Sequence, residues 1–312
     1  MSVNVSVVIP CFNASDFIVE TIESVFAQNR CDLEIVIVDD KSTDGTRQIL
    51  ERLSEENGET IRVISGAGKG PAAARNLGID AARGAYIAFL DADDVWLPDK
   101  LEKQFLRLDE AGEQGLVYAD RFWVDGNGER LAESPLQETF PEGFVFTDMI
   151  AGNYLVTSSV LVPKEALERV GCFSESENFT NCQDYHLWLR LAEILPFYAV
   201  KEPLINYRVH ESNRHKNVRP RYVGLVSCLE YAKDSSFWKS HSRKPFEHLL
   251  RRRLGAFHSS YARTFFRQGN FRWAWYAALS ALRCRMFDWR LFIIASLGWL
   301  PEGILRRLAT FK

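Results

Sequence analysis

The stretch Tyr86-Ile-Ala-Phe-Leu-Asp-Ala-Asp-Asp-Val95 decides the fold. Residues 87–90 are apolar and read as a buried strand. They run straight into Asp91, Asp93 and Asp94. Carboxylates crowded in this way repel one another unless a cation or a proton sits among them. In an open α/β sheet, ligands bind at the carboxyl ends of strands. The stretch therefore points to a divalent cation at a sheet edge, facing an anionic substrate. Taken alone it fits a solvated, helix-capping acidic turn equally well, because Pro98 opens a helix soon after.

Around this stretch, strands and helices alternate. The β-branched run 5–9 is a strand closed by Pro10, and residues 15–28 carry helical spacing. A second strand, 33–38, ends at Asp39-Asp40. Thr43 or Asp44 caps a helix reaching residue 53. Residues 61–64 form a third strand, 71–82 an Ala-rich helix, 85–90 the fourth strand and 116–119 a fifth. Such alternation predicts a mainly parallel, Rossmann-like α/β sheet flanked by helices. The pattern fades between residues 121 and 152. A helix over 185–194 and short strands over 197–200 and 204–207 follow, and the chain beyond Pro220 reads as all-helical.

Two nearby motifs are decoys. Asp40-Lys-Ser-Thr-Asp-Gly45 with Glu51 has the spacing of a calcium loop, but a strand, not a helix, precedes it. Gly66-Ala-Gly-Lys-Gly-Pro71 resembles a phosphate loop. It lacks the first Walker glycine and the Ser or Thr after the lysine. A loop leading into the Ala-rich helix fits better, with the helix N-terminus still able to face a phosphate.

Bulk properties add limits. The chain has 312 residues, 46% hydrophobic and 25% charged, ordinary for a protein with a real core. Its net charge of −3 hides an asymmetry. Residues 233–312 carry 16 Lys and Arg against 4 Asp and Glu, whereas residues 1–232 carry 22 against 37. The six cysteines show neither C-x-x-C pairs nor zinc spacing, as expected of free thiols in a reducing cytosol. No secretory leader is visible, and no 18 apolar residues run together.

The motifs gain meaning in series. They run Val-Val-Ile-Pro-Cys-Phe-Asn13, Ile-Val-Ile-Val-Asp-Asp40 with Ser42 and Asp44-Gly45-Thr46, and Ala-Ala-Ala-Arg-Asn76 with Gly78 and Gly84. Leu-Asp-Ala-Asp-Asp94, Gly171-Cys-Phe173, Gln183-Asp184 and Tyr207-Arg-Val-His210 follow. In this order and spacing, residues 3–215 resemble the inverting, metal-dependent glycosyltransferases called family 2, which have the GT-A fold. The resemblance implies a site. Pro10 and Phe12 would wall the nucleotide pocket. Asp40 would contact the base or ribose with Asp39 beside it, and Arg75 would reach toward the nucleotide. Asp91 and Asp93 match the D-x-D pair: Asp91 lies toward the sugar nucleotide and Asp93 holds Mn²⁺ or Mg²⁺, with Asp94 sharing the metal or capping the next helix. Asp184 matches the catalytic base; read alone it would be an N-cap. The family's usual Glu-Asp is Gln183-Asp184 here, which bears on acceptor contacts. His210 matches a position near the metal or diphosphate, or is an exposed strand-end histidine.

The expected partners are a nucleoside-diphosphate sugar, UDP-linked by preference, and a glycan or lipid-linked acceptor. The expected organisation is a GT-A domain over 1–218, with a donor half over 1–120 and an acceptor half over 121–218. A basic, aromatic helical region follows over 219–312. Within 245–312, arginines interleave with Trp, Tyr and Phe. That fits an anionic membrane surface or a helical cap with aromatic core, and no motif supports nucleic acid. The expected location is cytoplasmic, peripheral at the inner face of the plasma membrane. Rival readings are an inactive sugar-nucleotide or glycan-binding partner and a nucleotidyltransferase.

Overall fold

The computed structural model describes residues 3–29, 32–131, 138–209, 218–286 and 288–297. His210, together with Phe287, Trp299, Arg306 and Arg307 of the basic tail, lies outside the described residues. The chain divides into two compact units. One comprises Met1–Met149, Asn153–Ser176 and Gln183–Lys216; the other comprises Ile150–Gly152, Glu177–Cys182 and Asn217–Lys312.

The first unit is built on one sheet. Its elements are β1 (Val5–Cys11), α1 (Ile18–Phe26), β2 (Leu33–Asp39), α2 (Thr46–Asn57), β3 (Ile61–Ser65), α3 (Pro71–Ala81), β4 (Tyr86–Phe89), β5 (Val95–Trp96) and α4 (Lys100–Ala111). They continue as β6 (Leu116–Val124), α5 (Phe146–Ala151), β7 (Leu161–Pro163), α6 (Lys164–Val170), α7 (Gln183–Ala192) and β8 (Phe197–Arg208). The strand order is β3-β2-β1-β4-β7-β6-β8-β5. β3, β2, β1 and β4 run parallel, and β6 pairs parallel with β8; β7 is antiparallel to β4 and β6, and β5 to β8.

Strands buried on both faces must be apolar throughout. Val5, Val7, Ile9, Ile35 and Ile37 share one apolar cluster with Ile18, Ile22, Leu50 and Leu101 from the helices of that face. Val8 and Val38 face the other way, onto α3, which comes very close at Gly78. A Cβ there would sit 2.5 Å from Val8 Cγ1. This close approach fixes α3, and with it Arg75, against the sheet. The strand order reverses between β1 and β4, a switch point where α/β sheets open a crevice.

Two expectations change. Residues 197–208 form one strand, not two. Its pairing with β6 shifts register around Asp120, which faces Pro203. Proline cannot donate to a ladder, and such an irregularity accommodates it. The short strands β5 and β7 carry no periodicity that sequence could reveal. The helix predicted to reach residue 53 starts at Thr46 and runs on to Asn57.

The second unit contains α8 (Val218–Asp234), α9 (Glu247–Arg267), α10 (Phe271–Arg283) and α11 (Trp289–Leu297). Ala274, Ala277, Ala278 and Ala281 put a small-residue face of α10 into a cluster with Ala262, Phe265, Leu291 and Ile294. Gly269, at φ 73°, makes the left-handed turn between α9 and α10. No described helix is long and apolar enough to cross a membrane. The five described cysteines are free thiols.

Two buried histidines give the stability a predictable pH dependence. Burial, helped by Arg190, lowers His186 to about 3. Burial also lowers His258 to about 4, against a weaker opposing pull from Glu230. The unfolded chain takes up these protons near pH 6.5 and the folded chain does not. Stability should therefore be full above about pH 6.5 and fall as pH drops toward 4 and then 3. Each histidine contributes at most about 1.4 kcal/mol per pH unit. Urea midpoints between pH 7 and 4.5 should show this slope, and His186→Phe should flatten it.

Candidate active site

Three strand ends meet at the crevice. Cys11, closing β1, lies in register with Asp39, closing β2. Leu90 follows β4 and donates its N–H to Val8 O at 3.2 Å. Pro10, the next-to-last residue of β1, is half-buried, and Phe12 stands 49% exposed just beyond the strand. An exposed aromatic at a ligand crevice is a stacking surface.

Asp40 shapes one corner. Its backbone N–H donates to Cys11 O at 2.8 Å. Its two carboxylate oxygens accept the N–H groups of Gly68 and Gly70, each at 2.7 Å. A Cβ on Gly66 would lie 2.6 Å from Asp40 Oδ1, so the loop passes too close for a side chain. This explains the phosphate-loop decoy: a carboxylate of the chain itself already occupies the amide cradle. Asp39 accepts Ser42 N–H at 3.1 Å and sits 3.7 Å from Arg47. The calcium-loop decoy resolves similarly. Asp44 Oδ1 accepts Thr46 N–H at 2.9 Å and Oδ2 accepts Ser15 N–H at 3.2 Å. Burial works to raise Asp44, but its bonds to Thr46 and Ser15 prevail and hold it at about 2.

The acidic turn lies across the crevice. Asp91 accepts from Arg75 Nη2 at 2.5 Å. Arg75 is buried, with its guanidinium 5.3 Å from the Phe173 ring centroid and its Nε lacking a hydrogen-bond partner. A buried donor left unpaired is costly, so a ligand acceptor there would be favoured. Asp91 and Asp93 are partly exposed, whereas Asp94 is 1% exposed.

Asp94 differs from its neighbours in its surroundings. Its Oδ2 accepts from Ser158 Oγ at 2.5 Å and its Oδ1 from Arg208 N–H at 2.9 Å. Burial first, then Asp93 and Asp91, push its carboxyl well above the usual range. A buried carboxyl with both oxygens on protein donors anchors the turn. It does not cap α4, whose N-cap is Asp99.

The residues that hold this turn escaped sequence reasoning. Thr21 Oγ1 donates to Ala92 O and Asp94 O at 3.0 and 2.9 Å. Ser158 accepts Asp91 N–H at 3.0 Å. Arg208 Nε donates to Asp93 O at 2.8 Å, Nη1 to Gly126 O at 2.9 Å and Nη2 to Glu20 at 2.6 Å. Arg208 is 3% exposed. Arg208→Met should cost about 3 kcal/mol, because it strips donors from buried acceptors. Arg208→Lys should cost less but still lose the fork geometry. Urea midpoints of the two variants read this order.

Asp184 joins the same site. It sits inside the first turn of α7, one residue past its start, so it is not the N-cap. Asn153 Nδ2 donates to its Oδ2 at 3.3 Å. Tyr207 links it to the acidic turn. Burial, then the charges of Asp94, Asp91, Asp93 and Asp184, push the Tyr207 phenol up. Tyr207 packs edge-on against Trp123 at 5.1 Å. Likewise burial, then Asp39, Asp44 and Asp93, raise the Cys11 thiol. Asp39, Asp91, Asp93, Asp94 and Asp184 thus share one electrostatic neighbourhood. Among the described residues no three His, Cys, Asp or Glu side chains form a ready metal cage. The donor set still fits a hard cation that takes one or two carboxylates and completes its shell with phosphate and water. Gathered carboxylates, whose charge spreads to Tyr207 and Asp94, are what such an ion would neutralise.

Comparison with known proteins agrees with this architecture. The sequence model of Glycosyl transferase family 2 matches residues 6–170. TuaG of Bacillus subtilis, named for teichuronic acid biosynthesis, is 33% identical over 218 residues, covering 68% of this chain and 82% of that protein. The amylovoran biosynthesis glycosyltransferase AmsB of Erwinia amylovora is 31% identical over 231 residues, covering 70% and 75%. Among solved structures, S. aureus TarS 1-349 in complex with UDP-GlcNAc superposes with a TM-score of 0.61 at 18% identity, covering 90% of this chain and 89% of that one. The mannosyltransferase PcManGT of Pyrobaculum calidifontis, in complex with GDP-Man and Mn²⁺, gives 0.61 at 21% identity, covering 100% and 82%. At those identities the likeness establishes the fold, a GT-A type α/β sheet with a C-terminal helical region. The chain belongs to glycosyl transferase family 2 and is a glycosyltransferase, with relatives in bacterial polysaccharide biosynthesis.

Proposed function

We propose that the chain is an inverting, divalent-metal-dependent transferase. It moves a hexosyl unit from a nucleoside-diphosphate sugar, UDP-linked by preference, to a hydroxyl of a glycan or lipid-linked acceptor in bacterial surface polysaccharide synthesis. The observation that carries this reading is the placement of Asp91 and Asp93 directly after β4, at the sheet edge where the parallel strands β1 and β2 also end at Cys11 and Asp39. The donors UDP-GlcNAc and GDP-Man in the related structures, and the Mn²⁺ in one of them, support the donor class and the metal.

Each residue has a task in this reading. Phe12 stacks on the base and Pro10 walls the pocket. Asp40 fixes the Gly66–Gly70 loop and offers its remaining lone pairs to the base or ribose, with Asp39 buttressing that corner. Arg75 turns its unpartnered Nε toward the donor while its pair with Asp91 sets that carboxylate's direction. Asp93, with Asp91, would hold Mn²⁺ or Mg²⁺. When bound, the cation supplies Lewis-acid stabilisation of the diphosphate charge. Asp184 takes the acceptor hydroxyl proton as the oxygen attacks the anomeric carbon. The bond from that carbon to the diphosphate oxygen breaks, and the diphosphate leaves with the electron pair. One base and one in-line displacement invert the centre, with no covalent sugar on the enzyme.

The donor half in this reading is residues 1–120 and the acceptor half residues 121–218. Residues 245–312 carry it to an anionic membrane surface at the cytoplasmic face. Exposed Trp289, Phe292 and Ile293 on α11 support that surface role. A panel of sugar nucleotides, scored for nucleoside-diphosphate release with Mn²⁺ or Mg²⁺, tests the reading. Pyrophosphate release would indicate a nucleotidyltransferase, and donor binding without turnover on any acceptor would indicate a non-catalytic partner.

A further inference from the structure

The second unit holds a cavity of about 610 Å³ between α8 and α10. That volume is in the range of small-molecule sites. Tyr222, Trp273 and Tyr276 form its aromatic wall, Val226 adds apolar surface, and Arg219 and Arg272 supply the charge. No carboxylate is among the described lining residues.

The wall is rigid. Tyr222 is 2% exposed, and its hydroxyl shares a 2.7 Å hydrogen bond with His258 Nδ1. Trp273 is edge-on to Tyr222 at 6.2 Å and to Tyr276 at 6.0 Å. The Tyr276 side chain is 53% exposed, so one ring of the wall faces outward. Arg219 lies over the Trp273 ring, 4.6 Å from its centroid, which holds one guanidinium in place at the cavity. Two exposed arginines with no lining carboxylate make the cavity electropositive.

This combination selects its ligand. Tyr276, the outward ring of this wall, offers an apolar face to the C–H side of a sugar ring, with Trp273 and Tyr222 packed behind it. Guanidinium forks pair with carboxylate or phosphate in a planar, two-bond geometry. A neutral sugar would leave the arginines unused, and a simple anion would leave the aromatic wall unused. We propose that this cavity is a saccharide site for an acid-bearing oligosaccharide, separate from the donor crevice. The site would hold the anionic glycan on which the enzyme works. That last role rests on the glycosyltransferase reading above; the binding itself does not.

The test is calorimetric titration of the full chain with a tetrasaccharide alternating glucuronic acid and N-acetylhexosamine. Its carboxyl-reduced neutral counterpart, UDP and phosphatidylglycerol vesicles serve as comparison probes. The acidic tetrasaccharide should bind, and the neutral one about tenfold more weakly. The double variant Arg219→Ala, Arg272→Ala should lose at least about tenfold, as should Tyr276→Ala, while both keep wild-type donor hydrolysis. Saturating UDP should leave the binding unchanged. Equal affinity of wild type and variants would overturn the proposal. So would equal affinity for the neutral sugar, displacement by UDP, or binding to vesicles alone. Saccharide binding by a chain inactive on every donor would sink the transfer reading and spare the site.

Discussion

Asp184→Asn should lower kcat by about 10³-fold while leaving donor affinity within about twofold. Asparagine keeps the size of the side chain and the bond from Asn153, but it cannot take a proton. The acceptor hydroxyl would then attack with its proton still attached, which removes the contribution of a general base. The loss should fall on kcat and on kcat/KM for the acceptor, with little change in the donor Kd. Steady-state kinetics with saturating donor, beside calorimetry of donor binding, separates the two. An Asp184→Asn enzyme at full rate would remove Asp184 from the chemistry. A collapse of donor affinity would move it to the nucleotide pocket.

Asp93→Asn should act on a different quantity. Removing a charged oxygen from the metal set should shift the Mn²⁺ dependence of turnover to higher concentration, with a rate loss of about 10²-fold at moderate metal. Partial rescue by excess Mn²⁺ is expected for Asp93→Asn and none for Asp184→Asn. EDTA should abolish wild-type turnover, and added Mn²⁺ should restore it. Turnover indifferent to EDTA would dismiss the metal. Asp94→Asn belongs with neither variant. Its carboxyl is buried behind the turn, so the expected deficit is in stability, not in metal dependence.

What the sequence made legible was local. β1, β2 and β4 are β-branched or apolar runs, and their periodicity alone placed Asp39, Asp40 and Asp91 at strand ends. The strand count was not legible. β5 has two residues and β7 three, too few for any period. Residues 197–200 and 204–207 read as two strands because the register shift that joins them around Pro203 is a tertiary feature. Apart from the family resemblance, the three acids of the turn looked equivalent in the sequence. They divide only because Ser158 and Arg208, 64 and 114 residues away from Asp94, claim its oxygens. Such partners leave no local pattern. Arg208 lay inside a quoted motif, yet nothing in the one-dimensional pattern gave it three acceptors.

The reach of Arg208 also orders the birth of the enzyme. The Asp93–Asp94 turn is synthesised more than a hundred residues before the side chain that fastens it. A nascent chain that has released only its first 170 residues has strands β1 to β7, both acids and their Thr21 and Ser158 partners, but no Arg208 and no Asp184. Contacts this distant in sequence form late. The crevice should therefore mature in a single final step, when β8 docks. Until then the growing chain would hold its acidic turn through Thr21 and Ser158 alone, without the Arg208 contacts to Asp93 and Asp94.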